Sequence, residues 1–334
     1  MNYYFDERWI GPHGIGRVAA RLAARIPFLP LGLHGKPSQP QDPLRLALAL
    51  RQRPDADLFF SPGFNAPLFG RTPYVLCVHD LCPLDNPESK SLAKSLYFQT
   101  VTRYLCHRAR FVLTVSEFSR TRILDWSGLP ESQVIAVPNG VDLEYQPEGP
   151  AFTHPTPYLL CVSNRRPNKN EFRTLEGFAR AKGLDSLPIL FTGSPTPEIT
   201  THIQKLGISD RVHFIGRITD AALPALYRSA LGVVFVSLYE GFGLPVVEAM
   251  ASGTPVLTSS TTSLPEVSGD AALLVDPCSV SEIAHGIEQL LTNETLRTTL
   301  RKRGLERAKA FSWDSSASRV RELLHQAAGC RVTM

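Results

Sequence analysis

Two glutamates on either side of a glycine-rich turn are the chemically most informative feature of this chain. Glu240 precedes the turn formed by Gly241, Phe242, Gly243 and Leu244, and Glu248 follows it. Pro245 favours a helix start here, because the N–H that proline lacks would have no partner in the first helical turn. The backbone N–H groups of such a turn attract anions, above all phosphate.

The two carboxylates predict a ligand that also carries hydroxyl groups. A glutamate beside an anion site is electrostatically costly unless it accepts hydrogen bonds, and sugar or ribose hydroxyls are suitable donors. Taken alone, Glu248 also fits a helix-start acid and Glu240 a solvated loop residue. Their combination with the glycine turn favours a nucleotide-sugar site.

A second turn carries three cations within five residues, Arg165, Arg166 and Lys169. It follows an apolar segment and opens a helical pattern. Fixed cations stabilise the negative charge that develops on a leaving nucleotide diphosphate, without a metal ion. A solvated basic turn is the alternative, and the sequence leaves open whether Arg165 or Arg166 acts beside Lys169.

The first half of the chain has its own glycine turn, with Gly14 and Gly16 ahead of a helical pattern. This G-x-G-x-x-A turn resembles a dinucleotide-binding turn. NAD is disfavoured, because the region around Leu33–Lys36 lacks the required acidic residue, although NADP would tolerate a basic residue there. A tight turn that joins a strand to a helix remains the structural alternative.

His79, Ser116 and a pair of aspartates complete the candidates. His79 ends an apolar run and projects from a strand end, although a buried structural histidine fits as well. Ser116 is first of all a good helix N-cap. Asp55 and Asp57 precede their strand and therefore predict a solvated turn, and no other cluster has metal-ligand spacing.

The surrounding elements predict an α/β protein with two Rossmann-like domains, because apolar strands alternate with helical patterns in both halves. The predicted strands are Tyr3–Phe5, Leu58–Phe60, Tyr74–Val78, Phe111–Val115, Val134–Val137, Tyr158–Val162, Ile189–Thr192, Val212–Ile215, Gly232–Val236, Pro255–Thr258 and Ala272–Val275. The predicted helices are Gly16–Arg25, Ser89–Arg108, Glu171–Ala181, Pro195–Leu206, Ala221–Ser229, Pro245–Ala251, Ser279–Leu291 and Ser315–Ala328. The polar stretch Glu144–Pro157 between the halves predicts a linker.

The Glu-x7-Glu pattern around Gly-Phe-Gly-Leu-Pro resembles the signature of the family 4 retaining glycosyltransferases, which have the GT-B fold. The match continues through Ala249–Val256 and Leu264–Val267. The resemblance implies two parallel sheets that face each other across a cleft. It implies an acceptor-binding domain over residues 1–148, a nucleotide-sugar-binding domain over 149–310, and a last helix over 311–334 that returns toward the first domain.

The resemblance also assigns roles to individual residues. Glu240 would contact the donor sugar, Glu248 the ribose, and Lys169 the diphosphate, while the amides of Gly241–Leu244 meet sugar and phosphate. A family arginine is replaced here by Asn164, which leaves the partner of Lys169 uncertain. In the first half, the residues implied to face the donor phosphates, the transferred sugar or the cleft are Asp6, Arg8, Gly14, Gly16, Arg17, His79 and Ser116.

The implied activity is metal-independent transfer of a hexose, with retention, from a nucleotide-diphosphate sugar to a hydroxyl of a glycan or lipid-linked glycan. The segments around His79 and Asn164–Asn170 most resemble bacterial mannosyl- and rhamnosyltransferases of surface polysaccharide and lipopolysaccharide synthesis. GDP-mannose is the first donor to test, and no cofactor is expected. A sugar-nucleotide epimerase on the same fold and a non-catalytic nucleotide-sugar-binding protein are the alternatives.

Composition and charge limit the possible binding partners and the cellular compartment. Thirty-five basic against 31 acidic residues give a net charge of +4, too small to indicate nucleic-acid binding. No signal-peptide pattern and no apolar run of about 18 residues is found. The six cysteines predict free thiols in the cytoplasm. The apolar stripe and basic flanks of Ser89–Arg108 fit either core packing or peripheral contact with the inner face of a membrane.

Overall fold

The computed structural model describes residues 1–89, 91–183 and 187–329, with the side chain of Ser89 excluded. The chain divides into two compact units. Unit 1 comprises Met1–Gly140 and Ser312–Met334, and unit 2 comprises Val141–Phe311. The sequence had suggested divisions at 148/149 and 310/311.

Unit 1 is built on a parallel sheet whose described strands follow the order β2-β1-β3-β4-β5-β6. These strands are β1 (Tyr3–Phe5), β2 (Leu29–Pro30), β3 (Leu58–Ser61), β4 (Tyr74–Cys77), β5 (Phe111–Thr114) and β6 (Val134–Ala136). Its helices are α1 (Gly14–Ala23), α2 (Asp42–Arg51), α3 (Cys82–Asp85), α4 (Leu92–Tyr97), α5 (Arg103–Arg108), α6 (Glu117–Ser127) and, from the end of the chain, α14 (Trp313–Gly329). The long helix predicted over Ser89–Arg108 is α4 and α5, joined by a π-helical turn at Phe98–Thr102.

Unit 2 is a second parallel sheet, and its described strands follow the order β12-β11-β10-β7-β8-β9. The strands are β7 (Leu159–Cys161), β8 (Ile189–Phe191), β9 (Val212–Phe214), β10 (Gly232–Phe235), β11 (Val256–Ser259) and β12 (Leu273–Val275). The helices are α7 (Glu171–Arg180), α8 (Pro197–Leu206), α9 (Leu223–Ser229), α10 (Leu244–Ala251), α11 (Leu264–Ser268), α12 (Val280–Thr292) and α13 (Glu294–Ala308).

Each sheet has a point at which the strand order reverses. In unit 2 the chain starts at β7, adds β8 and β9 on one side, and then crosses to β10 on the other. In unit 1 the reversal lies between β1 and β3. In open α/β sheets ligands bind beyond the carboxyl ends of the strands at such a point. The β7/β10 edge of unit 2 is therefore the first place to look for a site.

The predicted linker Glu144–Pro157 is fixed to unit 2. Arg228 of α9 donates from Nε to the carbonyl oxygen of Pro150 at 3.0 Å and from Nη1 to that of Glu144 at 3.0 Å. The amide of Phe152 donates to Ser229 Oγ at 2.8 Å. This segment lacks helix and strand, as the sequence indicated, but its backbone is bound to α9, so it is not a free linker.

The described cysteines are free thiols, as the sequence predicted: Cys77, Cys82, Cys106, Cys161 and Cys278. Cys330 lies outside the described residues. Burial raises the pKa of the Cys106 thiol to about 12, which keeps it protonated and unreactive. Across the described ranges, no helix combines the length and the apolar character needed to cross a membrane.

Candidate active site

The β7/β10 edge of unit 2 joins the basic turn to the glycine-rich turn. The amide of Leu238 donates to the carbonyl oxygen of Asn168 at 2.8 Å, and Asn168 Nδ2 donates to that of Tyr239 at 3.0 Å. Asn170 Nδ2 adds a bond of 2.9 Å to the carbonyl oxygen of Val236. Two turns that are about 70 residues apart in sequence therefore form one hydrogen-bonded unit.

Lys169 and Glu240 form an ion pair within this unit. Lys169 Nζ lies 2.6 Å from Glu240 Oε1, and each side chain is 15% exposed. The ammonium is also 4.9 Å from the ring centroid of Phe235, where a cation–π attraction adds to its stability. A fixed cation and a fixed carboxylate thus lie side by side with limited access to water, as the binding of phosphate and hydroxyl groups requires.

The glycine-rich turn has a conformation that its sequence dictates. Gly243 is the N-cap residue of α10 and has φ 104°, in the region that favours glycine. A Cβ at this position would lie 2.5 Å from Leu264 Cδ2. The buried ring of Phe242 packs edge-on against Phe311 at 5.5 Å and anchors the turn. The positive end of the α10 dipole lies at this turn, which therefore provides an anion-binding position.

Among the described residues, those with positive φ that are not glycine all lie in loops of unit 2 at this edge: Arg165 (63°), Asn170 (57°) and Thr262 (60°). Such conformations cost free energy and cluster at functional sites. Thr262 Oγ1 accepts from the amide of Glu240 at 3.3 Å, and Ser263 Oγ donates to the carbonyl oxygen of Glu240 at 2.9 Å.

Sequence reasoning missed Thr262 and Ser263 as supports of the site. The available signal was the run of hydroxyl residues Ser259–Ser263 directly after a predicted strand. Since parallel strands end at the same edge, that run belongs beside the glycine-rich turn.

The two arginines of the basic turn differ in their surroundings. Arg165 Nη1 lies 2.8 Å from Glu171 Oε1, and its guanidinium carbon lies 5.1 Å from the ring centroid of Phe214. Arg165 also donates to the carbonyl oxygen of Thr192. Arg166 is exposed. Arg165 therefore holds the turn against the sheet, and Arg166 is the arginine that is accessible to a ligand.

Glu248 lies in the second turn of α10 and is buried. Its Oε2 accepts a hydrogen bond of 2.9 Å from the hydroxyl of Tyr227, a partner that the sequence did not reveal. The helix starts around Pro245 as predicted and ends before Gly253, which has φ 73°. The predicted contact of Glu248 with a ribose stays a prediction.

Asp6, at the end of β1, belongs to a buried ion network in unit 1. Its oxygens accept from Arg8 Nε at 2.7 Å and Nη2 at 2.8 Å, and Arg8 Nη1 lies 2.9 Å from Asp42 Oδ1. Burial raises the pKa of Asp6, and the neighbouring Arg8 opposes that rise. With both charges enclosed by protein, Asp6 and Arg8 support the β1–α1 loop; their predicted place opposite donor phosphates stays a prediction.

The turn that follows β1 is shaped by its glycines. His13 caps α1, since its Nδ1 accepts from the amide of Gly16 at 3.0 Å. A Cβ on Gly16 would lie 2.3 Å from the carbonyl oxygen of Gly11, so only glycine fits there. Gly14 is exposed and has open space where a Cβ would stand. Gly16 is thus required by the fold, whereas the exposed backbone at Gly14 leaves room for a ligand.

His79 and Ser116 lie at the carboxyl edge of the unit 1 sheet, as predicted. His79 is half-buried, and its Nε2 lies 2.8 Å from the carbonyl oxygen of Pro62. Burial lowers the pKa of His79, which keeps the ring neutral at pH 7. Ser116 is buried and caps α6 by accepting from the amide of Ser119 at 3.1 Å. The predicted N-cap is confirmed.

Asp55 and Asp57 lie before β3, at the opposite edge of the sheet, and are more than a solvated turn. Asp55 Oδ2 accepts from the Tyr4 hydroxyl at 3.0 Å, and Asp57 Oδ2 accepts from the amide of Asn2 at 2.8 Å. They tie the start of β1 to β3. In the portion of the chain that the structure covers, no group of three potential metal ligands is present.

Comparison with known proteins adds to this geometry. A family model described as glycosyltransferase family 4 matches residues 8–145, and one described as glycosyl transferases group 1 matches residues 144–307. The O-antigen chain mannosyltransferase B of Escherichia coli is 31% identical over 296 residues, which cover 83% of this chain and 76% of that protein. An MMP alpha-(1->4)-mannosyltransferase of Mycolicibacterium hassiacum is 35% identical over 69% of this chain and 58% of that protein.

Solved structures resemble the whole chain. HepE of Anabaena in complex with UDP-glucose aligns with a TM-score of 0.80 at 20% identity, over 98% of this chain and 100% of HepE. WaaG, a glycosyltransferase of lipopolysaccharide biosynthesis, aligns with a TM-score of 0.73 at 16% identity, over 97% and 98% of the two chains. At these identities the comparison concerns the fold alone, and it confirms the predicted GT-B fold.

Proposed function

Because the chain belongs to glycosyltransferase family 4, we propose that it transfers mannose from GDP-mannose, with retention and without a metal ion, to a hydroxyl of a glycan or lipid-linked glycan. That the chain is a glycosyltransferase follows from its family. The sugar and a role in surface polysaccharide synthesis are suggested by the names of relatives that are mannosyltransferases of O-antigen chains. GDP-mannose is the donor that the resemblance of the sequence makes the first to test.

The pair formed by Lys169 and Glu240 at the β7/β10 edge carries the proposal. The two residues neutralise each other at 2.6 Å. A nucleotide-sugar offers a better partner to each of the two residues. Its diphosphate is an anion for Lys169, and its sugar hydroxyls donate hydrogen bonds to Glu240. Donor binding then exchanges one ion pair for two sets of charge-assisted hydrogen bonds.

The same geometry stabilises the leaving group. As the bond to the anomeric carbon breaks, negative charge grows on the diphosphate, close to Lys169, Arg166 and the N-terminus of α10. Lys169 and the N-terminus of α10 are held by the fold before the reaction, so their stabilising effect needs little reorganisation. The acceptor hydroxyl attacks on the face that the diphosphate leaves, and a phosphate oxygen takes its proton. This route needs no separate protein base.

The most direct test is a thermal-shift panel in EDTA with GDP-mannose, dTDP-rhamnose, UDP-glucose, UDP-GlcNAc and NADP. A ligand that binds only the folded state raises the melting temperature. We expect GDP-mannose to stabilise the wild type and to lose most of this effect in Lys169→Ala and Glu240→Gln. Lys36→Ala removes an exposed lysine of unit 1 and is the charge control for Lys169→Ala. Stabilisation by UDP-glucose alone would refute the donor, and stabilisation by NADP alone would refute the site.

Product analysis tests the reaction class. After incubation with GDP-mannose and an acceptor glycan, the one-bond C–H coupling at the new anomeric centre reports retention or inversion. Conversion of the donor to an isomeric sugar nucleotide without an acceptor would instead favour the epimerase. Tight donor binding with neither reaction would favour the non-catalytic binding protein.

We further propose peripheral contact with an anionic membrane at the cytoplasmic face, where a lipid-linked acceptor would lie. Leu92 and Leu96 of α4 are 85% and 65% exposed. Lys94 lies between them, and the sequence from Leu92 to Arg108 contains no acidic residue. Tyr97 and Val101 pack on the core, so the apolar stripe splits into a buried and an exposed part.

Vesicle co-sedimentation tests this contact. We expect Leu92→Ser with Leu96→Ser to reduce binding to phosphatidylglycerol vesicles severalfold, because each leucine contributes apolar area to the interface. Leu44→Ser with Leu48→Ser removes two exposed leucines of α2 and serves as the matched control. Equal binding by both variants would refute the assignment to α4.

A further inference from the structure

An open pocket of about 660 Å³ lies at the amino ends of β4, β5 and β6 in unit 1. It is at the edge of the sheet opposite to His79 and Ser116. The basic side chains that line it are Arg71, His107, Arg108 and Arg110, and the described lining residues include no aspartate or glutamate.

The frame of this pocket is preformed. The Tyr74 hydroxyl donates to the carbonyl oxygen of Leu105 at 2.7 Å, and the amide of Arg110 donates to that of Tyr74 at 2.8 Å. Gln133 Nε2 donates to the carbonyl oxygens of Ala109 at 2.7 Å and Cys106 at 3.1 Å. Strand starts and the end of α5 are thereby locked together, so a ligand would find a rigid wall.

Two cations of the pocket, Arg71 and Arg108, are exposed. Arg108 reaches the Tyr104 hydroxyl at 3.4 Å and the carbonyl oxygen of Gly70 at 3.5 Å, both long for hydrogen bonds. Glu131 is adjacent in sequence to the lining, but its carboxylate lies 3.4 Å from Arg120. Arg71 is exposed and has no acidic neighbour along the chain. The pocket therefore presents a positive field to solvent.

We propose that this pocket binds a phosphate ester. Guanidinium groups bind phosphate through two parallel hydrogen bonds, which suits a site rich in arginine. Phe69 and Phe111 offer apolar surface to the organic part of the ligand. The volume lies within the range of small-molecule sites. The ester is either a soluble polyol or sugar phosphate or the headgroup of a membrane lipid.

This site is separate from the chemistry of the transfer reaction. Strand β4 spans four residues, or roughly 13 Å, between the pocket and the edge that carries His79. A ligand held by Arg71 and Arg108 therefore anchors or regulates the enzyme and does not supply the reacting hydroxyl. Binding at this pocket requires neither the proposed donor nor the proposed acceptor.

The probe is sn-glycerol 3-phosphate, titrated into the protein by calorimetry, with glycerol as the uncharged control. We expect binding of the phosphate ester alone, weakened at least about tenfold in Arg71→Gln with Arg108→Gln, because each lost charge-assisted contact has a cost of this order. Lys36→Gln with Arg51→Gln changes the net charge equally at exposed positions of unit 1 and should bind as the wild type does. Lys169→Ala should also bind normally, which separates this pocket from the donor site.

A second arm compares vesicles of phosphatidylglycerol with vesicles of phosphatidylcholine. Loss of phosphatidylglycerol binding in Arg71→Gln with Arg108→Gln, but not in its charge-matched control, supports the pocket with a lipid headgroup as its source. Titration of the soluble ester alone supports the soluble source. The proposal is overturned if neither probe binds the wild type, or if the pocket variant binds as tightly as the wild type. It is also overturned if the charge-matched control loses binding equally.

Discussion

Two ion pairs at the carboxyl edges of the two sheets have the same chemistry and different surroundings. In unit 1, Asp6 and Arg8 are 0% and 4% exposed, and both oxygens of the carboxylate contact the guanidinium. In unit 2, Lys169 and Glu240 are each 15% exposed and share one close contact. Asp42 adds a third buried charge to the first pair.

We expect this difference to separate a structural pair from the pair proposed to bind the donor. A buried pair with every charge enclosed is costly to break, because removal of one partner leaves an uncompensated charge in the interior. In a partly exposed pair, the single contact between the two residues can be exchanged for contacts with a ligand that carries both a phosphate and hydroxyl groups. The loop after β1 is thus fixed in shape, whereas the site beside β10 keeps charges that can be exchanged.

The largest effect on stability is expected from Arg8→Met. This change leaves Asp6 buried without its cation and leaves Asp42 with the longer contact to Arg45 at 3.4 Å, so it should lower the free energy of unfolding by about 3–5 kcal/mol. Urea denaturation measures the loss. Arg51→Met, an exposed change in the same unit, is the control. A loss below about 1 kcal/mol would mean that the buried pair contributes no more than a surface pair.

Lys169→Ala should have the opposite profile. We expect kcat/KM for mannosyl transfer to fall by about 10²–10³-fold, the usual result when one fixed group that stabilises transition-state charge is removed. The melting temperature should change less than in Arg8→Met, since the two side chains are each 15% exposed and share a single ion-pair contact. A stability loss as large as that of Arg8→Met would remove the distinction between the two pairs.

Gly243→Ala tests whether the functional edge depends on backbone shape as well as on charge. The φ of 104° and the 2.5 Å approach of Leu264 Cδ2 make any side chain unfavourable, at a cost of about 1–3 kcal/mol. Donor affinity should fall as the N-terminus of α10 shifts. Gly207→Ala, at φ 69° with open space around its Cβ, carries a left-handed conformation without the clash and is the control. Equal effects of the two variants would mean that the Leu264 side chain can move away from the new Cβ at no cost in free energy.

The sequence predicted elements that have their own local pattern. Eleven strands were predicted, and each corresponds to a strand of the structure with small shifts at the ends. Strand β2 was missed because Leu29–Pro30 is two exposed residues without alternation. Helix α13 was missed because its apolar residues are sparse; it is held by packing of Gly304 against Met250 of α10.

Residues of the site were predictable where a turn carried a recognisable composition. The turns around Lys169 and Glu240 were predicted separately, and their contact follows from the adjacency of β7 and β10, which no local pattern encodes. Asp42 and Thr262 were missed for the same reason, since their partners Arg8 and Glu240 are distant in sequence. The burial of Asp6 was equally hidden, because its partner Arg8 is bound in turn by Asp42 at the start of α2.

The smallest expected effect is on the pH dependence of stability, through the neutral ring of His79 at the carboxyl edge of the unit 1 sheet. The carbonyl oxygen of Pro62 can only accept, so His79 Nε2 carries the proton of that bond. Burial lowers the pKa of His79 from its ordinary value of 6.5, so the unfolded chain binds a proton more readily than the folded one. The stability that the neutral ring contributes is therefore present above pH 6.5 and is lost as the pH falls below it.

His79→Gln keeps a donor for Pro62 without a titrating ring, and its melting temperature should fall less than that of the wild type between pH 7.5 and 5.5. His285→Gln, an exposed histidine of unit 2, should follow the wild type. Parallel curves for all three proteins would mean that the edge around His79 tolerates charge as readily as the edge around Lys169.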